Sequence, residues 1–223
     1  MSTIETTYPA PTLVAKPAER DAKALLGQVM GFVSFTVAFA ALGAYLGRDL
    51  SGSTGLLLFI GAFALIIGLN VAAARGREQL AIGLLFGLGL VLGLAVAPVV
   101  AEYAAAEPSA LWQATGATAA FVGALGAYGY ATKRDLSSWG RTLFWALLGL
   151  IVFGLVAIFV SIPGANVIYA VIGLVIFGGF TIYDFNRLRR AGADAAVLIA
   201  ASIFLDIFNV WLLLLSLFGG NSE

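Results

Sequence analysis

Asp184 and Asp206 are the two acids that fall inside the long apolar runs of this 223-residue chain. A carboxylate near the centre of a lipid-embedded helix costs roughly 2.5–3.5 kcal/mol on insertion scales, so an acid retained there marks a functional position by default. Asp206 lies near the middle of the last apolar run. Asp184 lies near the end of the run before it, one helical turn ahead of Arg187, Arg189 and Arg190. The short link makes these runs antiparallel neighbours, which lets the two carboxyls meet. Two carboxyls in one low-dielectric site share a proton rather than both ionise. Such a pair forms a pH-sensitive latch: the shared proton holds the helices together, and its loss leaves repulsion that admits water or a cation.

Thr181, three residues before Asp184, and Ser202 and Asn209, on either side of Asp206, continue the polar face at helical spacing. With waters, these oxygens offer weak, open coordination to Ca2+, which takes about six to eight oxygen ligands. Arg75 and Arg141, at the same ends of neighbouring runs, are candidate basic partners that hold the pair shut. Asp184 also fits an interfacial ion pair with the adjacent arginines, and Asp206 a structural hydrogen bond to another helix.

The elements that must position these residues follow from composition. The chain is 61% hydrophobic and 11% charged, with mean hydropathy +1.00. A soluble domain carries about 25% charged residues, so the solvent here is lipid. The net charge is zero, which gives no field favouring nucleic acid. There is no Cys and no His, which removes disulfides, thiol and histidine catalysis and the usual zinc sites. Lys16, Lys23 and Lys133 all lie outside the apolar runs, so no lysine stands where a retinal Schiff base would need one. No phosphate-cradling glycine loop occurs. Neither enzyme activity nor a tightly bound cofactor is expected.

Spanning about 30 Å of hydrocarbon takes roughly 20 helical residues. Seven continuous runs qualify, at about 27–47, 54–74, 79–100, 109–131, 142–162, 165–185 and 195–218, which predicts an all-α, seven-helix polytopic membrane protein. Residues 1–26 read as a flexible tail rather than a signal peptide, and 219–223 as a short second tail. Basic residues set the orientation. Lys16, Arg20, Lys23, Arg75, Arg77, Lys133, Arg134, Arg141, Arg187, Arg189 and Arg190 fall on one side and Arg48 alone on the other. The N-terminus is therefore expected in the cytoplasm and the C-terminus outside. Gly83, Gly87, Gly89 and Gly93 in the third run, and Gly116, Gly123 and Gly126 in the fourth, predict faces where helix backbones pack closely. No internal repeat signals an inverted-repeat transporter.

Several short motifs, in their order and placement, resemble the Bax inhibitor-1 (transmembrane Bax inhibitor motif) family, in a bacterial form. They are Thr132-Lys133-Arg134-Asp135, Tyr183-Asp184, Leu205-Asp206 followed by Asn209, and the Leu-rich run ending in Phe218-Gly219-Gly220. The resemblance covers about residues 20–220. It implies a pH-sensitive Ca2+ leak across a bacterial inner membrane, with protons and Ca2+ as the species handled and Asp184 and Asp206 as the pH sensor. It also implies an arginine latch from the second span, for which Arg75 is the nearest candidate. Some members carry an acid in that span, whereas residues 54–74 contain none. Modulation of a membrane-bound AAA protease, without ion conduction, is the alternative role the resemblance implies.

Overall fold

A computed structural model describes residues 17–50, 52–160 and 163–219. Seven long helices run in order: α1 (Pro17–Leu46), α2 (Gly52–Ala74), α3 (Glu78–Ala106), α4 (Pro108–Ala131), α5 (Trp139–Phe159), α6 (Ala165–Leu188) and α7 (Ala196–Gly219). A single 3-10 turn, Ala193–Ala195, leads into α7, and no strand occurs among the described residues. Helices dominate because a backbone surrounded by hydrocarbon must satisfy its own N–H and C=O groups. At about 1.5 Å per residue, a 24-residue helix such as α6 is long enough to cross the apolar core of a bilayer.

The seven expected runs match the seven helices in order, and their ends differ for local reasons. Pro17 opens α1, which takes in residues 17–26 of the expected tail. Proline suits a first helical position because the N–H it lacks would have had no partner there. Residues 1–16 and 220–223 of the two expected tails lie outside the described residues, as do Ser161 and Ile162. α3 does not stop near Pro98; it runs through it to Ala106. The link to α4 shrinks to Glu107, whose backbone (φ −147°, ψ 71°) lies outside the helical region that a following proline disfavours, with Pro108 then opening α4. Between α5 and α6, Gly164 sits at φ +71°, a left-handed conformation that glycine adopts without steric cost.

Six of the described helical segments are long and apolar enough to cross a membrane, and α4 is not among them. It has the length and no charge, but Gln113, its threonines and its glycines dilute its apolar content.

α7 forms the centre of the bundle. Of its most apolar stretch 61% is buried, against 6% for α5, which packs on α6 at the periphery. Ile199, Ile203, Val210 and Leu215 of α7 pack with Val29 and Val33 of α1 and Leu85 of α3. Phe204 and Phe208 pack on the other side with Ala62, Leu88, Leu92 and Val96.

The expected close-packing faces are used selectively. A Cβ at Gly89 or Gly93 would strike the carbonyl oxygens of Thr36 and Ala40 on α1, and one at Gly129 would strike that of Ile182 on α6. Gly126 abuts the Phe185 ring. Gly83, Gly87, Gly116 and Gly123 face open space. Of the seven glycines that spacing suggested, Gly89, Gly93 and Gly126 are therefore used at helix contacts, and Gly129, which spacing did not single out, lets α4 approach the α6 backbone.

Candidate functional site

α6 and α7 are joined by a short link and pack antiparallel, which brings the last two turns of α6 beside the first half of α7. Asp184 and Asp206 are 4% and 5% exposed, and their carboxyls are hydrogen-bonded to each other. A hydrogen bond between two carboxyl groups needs one proton, since an ionised carboxylate only accepts. The buried Asp206 Oδ2 has no donor among the other described residues, which leaves the Asp184 carboxyl as the polar neighbour of this acid. The two acids expected to meet are thus brought together. No third acid joins them among the described residues.

The arginines that follow Asp184 do not form an ion pair with it; among the described residues, its side-chain hydrogen bond is to Asp206. Arg187, one turn further along α6, is the cation whose charge reaches Asp184. Arg75, just past the end of α2, and Arg141, in the first turn of α5, are both exposed, and among the described residues neither forms an ion pair with Asp184 or Asp206.

The supporting polar residues divide. Thr181 is fully buried, and its hydroxyl donates to the Phe177 carbonyl one turn back, at 2.8 Å. Asn209 likewise donates its Nδ2 to Leu205 O at 2.7 Å. Both are bound to their own helices, as polar side chains in lipid-embedded helices commonly are. Ser202 lines a cavity of about 120 Å3 between α2, α3, α6 and α7, shared with Asn70 and Arg187. Asn70 is a member of this polar set that spacing around the acids did not reveal; its position alone, inside the second apolar run, was a usable signal.

The other residue missed is Asn186, 2% exposed. Its Nδ2 donates to the carbonyls of Gly129, Thr132 and Arg134 at 3.3, 3.2 and 3.2 Å, and its Oδ1 accepts from the Leu136 N–H at 3.4 Å. Arg190 donates to the same Oδ1 and, at 2.6 Å, to Arg134 O. Arg190 also pairs with Asp135 at 2.6 Å. Asp135 accepts from both the hydroxyl and the N–H of Ser137, at 2.5 and 2.9 Å. Those Ser137 hydrogen bonds first, and the Arg190 guanidinium after them, lower the Asp135 carboxyl to about 2. The α4–α5 loop is thereby clamped to the end of α6, two residues beyond Asp184.

Residues 22–223 match a family model described as inhibitor of apoptosis-promoting Bax1. The inner membrane protein YbhL of Escherichia coli K12 is 26% identical over 216 residues, covering 88% of this chain and 91% of its own length. A protein of Caulobacter vibrioides is 31% identical over 190 residues, covering 79% and 74%. The Golgi anti-apoptotic protein of vaccinia virus strain Lister is 32% identical over 226 residues, covering 97% and 93%.

Proposed function

The chain belongs to the Bax inhibitor-1 family, the inhibitors of apoptosis-promoting Bax1, and from that premise we propose that it is a pH-sensitive Ca2+ leak of a bacterial inner membrane. In this reading all seven helices span the bilayer, with the N-terminus in the cytoplasm and the C-terminus outside. The reading is supported above all by the buried carboxyl–carboxyl hydrogen bond between Asp184 on α6 and Asp206 on α7.

While one proton is shared, the pair binds α6 to α7 and no charge is exposed to the bundle interior. When that proton leaves, two carboxylates repel each other across the same interface and draw in water or a cation. Ca2+ passes as cargo: two carboxylates, the Ser202 hydroxyl and water would meet it briefly, an incomplete shell by the standard of about six to eight oxygens and hence one it can leave. Arg187 sets the local charge on the Asp184 side. No chemical transformation is involved, and the protein acts without a bound cofactor. The inner-membrane location draws on the Escherichia coli relative, an inner membrane protein by name.

The experiment is Ca2+ flux into liposomes carrying the purified protein, followed between about pH 6 and pH 8, with the two acids of the pair titrating as one unit. Wild type gives a flux that varies with pH, and Asp184→Asn and Asp206→Asn flatten that variation. Unchanged flux and unchanged pH response in both variants would refute the leak. A non-conducting role, such as modulation of a membrane-bound AAA protease, would then be the reading to test, by capture of the protease on immobilised protein with and without residues 1–20.

A further inference from the structure

A second polar feature shares Arg187 with the Ser202 cavity. Between the α4–α5 loop and the end of α6 is a cleft of about 200 Å3, lined by Ser137, Tyr183, Asn186, Arg187, Arg190 and Ala191. A water occupies about 30 Å3 of liquid, so the space takes a group much larger than one water. Asn186 and Arg190 are already engaged in the loop clamp. The Arg187 guanidinium and the Tyr183 hydroxyl have no hydrogen-bond partner among the described residues. The nearby acids are accounted for. Asp135 is paired with Arg190, Asp184 is bound to Asp206, and Asp194 lies on the 3-10 turn, beside Gly192. Lys133 and Arg134 on the α4–α5 loop and Arg141 in the first turn of α5 are exposed and add positive charge to this end of the bundle.

The site therefore offers a planar guanidinium and a phenolic O–H to an anion, donor chemistry suited to phosphate oxygens. Its position indicates the source of the phosphate. The Tyr183 hydroxyl lies against the first turn of α5, where a Cβ on Gly140 would come within 3.0 Å of it. That turn begins with half-exposed Trp139, and the rest of α5 turns Phe144, Trp145, Ile158 and Phe159 outward. In a membrane this face is covered by lipid tails, and a tryptophan at the head of such a helix sits at headgroup level. The cleft is thus at the depth where lipid phosphates lie, on the basic side of the protein.

We propose that this cleft binds the phosphodiester of an anionic phospholipid, with Arg187 and Tyr183 donating to its oxygens. Basic pockets at the cytoplasmic ends of membrane helices recognise such headgroups through these contacts. The proposal requires that the protein be embedded in a membrane and does not depend on Ca2+ conduction.

The test is native mass spectrometry of the detergent-purified full chain with phosphatidylglycerol or phosphatidylcholine, read as the affinity ratio for the first lipid retained. Wild type is expected to favour phosphatidylglycerol by about tenfold. Arg187→Gln and Tyr183→Phe each reduce that preference, and together bring it near parity. Arg187→Lys keeps part of it, and Arg189→Gln, on a basic residue outside the cleft, leaves it intact. Circular dichroism and size-exclusion profiles identify variants that fold, and the single changes stand in where the double does not. Equal retention of the two lipids by wild type overturns the proposal. So does an equal loss in Arg189→Gln, which would mean diffuse charge, or displacement of the lipid by inorganic phosphate, which would mean a soluble ligand. Because no flux is read, failure here leaves the leak untouched, and failure of the leak leaves this site standing.

Discussion

Arg190 Nη1 lies 2.6 Å from Asp135 Oδ1, which ties the turn after α6 to the loop that follows α4. The Ser137 hydroxyl and N–H, and then Arg190, stabilise the charged form of Asp135 and lower its carboxyl from 3.8 to about 2. A depressed carboxyl contributes stability above its unfolded value and loses it as pH falls through the folded one. The loop contact is therefore expected to be complete above about pH 4 and to loosen as the pH falls to about 2. Hydrogen exchange of the 132–138 segment, corrected for intrinsic rates, checks this: protection falls across that window in wild type. Asp135→Asn shows weaker protection on the neutral side and little further change. Wild-type protection that persists at pH 2 would contradict the ion pair's role.

Asn186 is the hub of the same clamp, and its removal takes this partner from the Gly129 and Thr132 carbonyls and the Leu136 N–H, while Arg134 O keeps Arg190. Leaving buried polar groups unsatisfied costs about 1–3 kcal/mol, so Asn186→Ala should destabilise by that order in a denaturant titration in detergent. Asn209 bonds only within its own helix, to a carbonyl one turn back. Asn209→Ala is therefore expected to fall within about 0.5 kcal/mol of wild type. Equal losses in the two variants would mean that the inter-helix bonds of Asn186 carry no special weight.

The helix crossings give a sharper contrast. A methyl at Gly93 meets the Ala40 carbonyl, which belongs to backbone and cannot rotate away, so Gly93→Ala must push α1 from α3. Overpacking of this kind costs about 1–3 kcal/mol. Gly87 on the same helix faces open space, and Gly87→Ala gains about 0.5–1 kcal/mol from reduced backbone freedom in the unfolded chain. Thermal unfolding in detergent should lower the midpoint for the first variant and hold or raise it for the second.

The acids and the helices were legible in the sequence for one reason: lipid penalises charge and unsatisfied backbone alike. Asp184 and Asp206 stand out against apolar runs, and those runs need no periodicity to be read as helices. The clamp was not legible. Asn186 bonds to carbonyls 52 to 57 positions earlier in the chain, and nothing in its local spacing distinguishes it from an ordinary polar residue at a helix end. Arg187 was visible as one of three arginines. Only the turn of α6 selects it over Arg189 and Arg190 as the charge that reaches Asp184. The glycine faces were half legible, because spacing marks candidate contacts but the crossing point of two helices decides which are used.

α4 decides whether the bundle crosses the membrane seven times or six, and with it the side on which the last two loops lie. Its 24 residues carry no charge yet are less apolar than the other helices. If it spans, Glu107 at its start and Lys133 just beyond its end stand on opposite faces of the membrane; if it does not, they share one. The chain contains no cysteine, so single introduced cysteines report without background. The basic-residue distribution predicts that Asp49→Cys and Glu107→Cys react with a membrane-impermeant maleimide added outside intact cells. Lys133→Cys and Arg77→Cys should react only after lysis. Labelling of Lys133→Cys from outside together with Glu107→Cys would remove α4 from the spans, and labelling of Arg77→Cys but not Asp49→Cys would invert the whole orientation. Because α5 to α7 follow α4, either result would also move the Arg187 cleft and the phospholipid it is proposed to bind to the other leaflet.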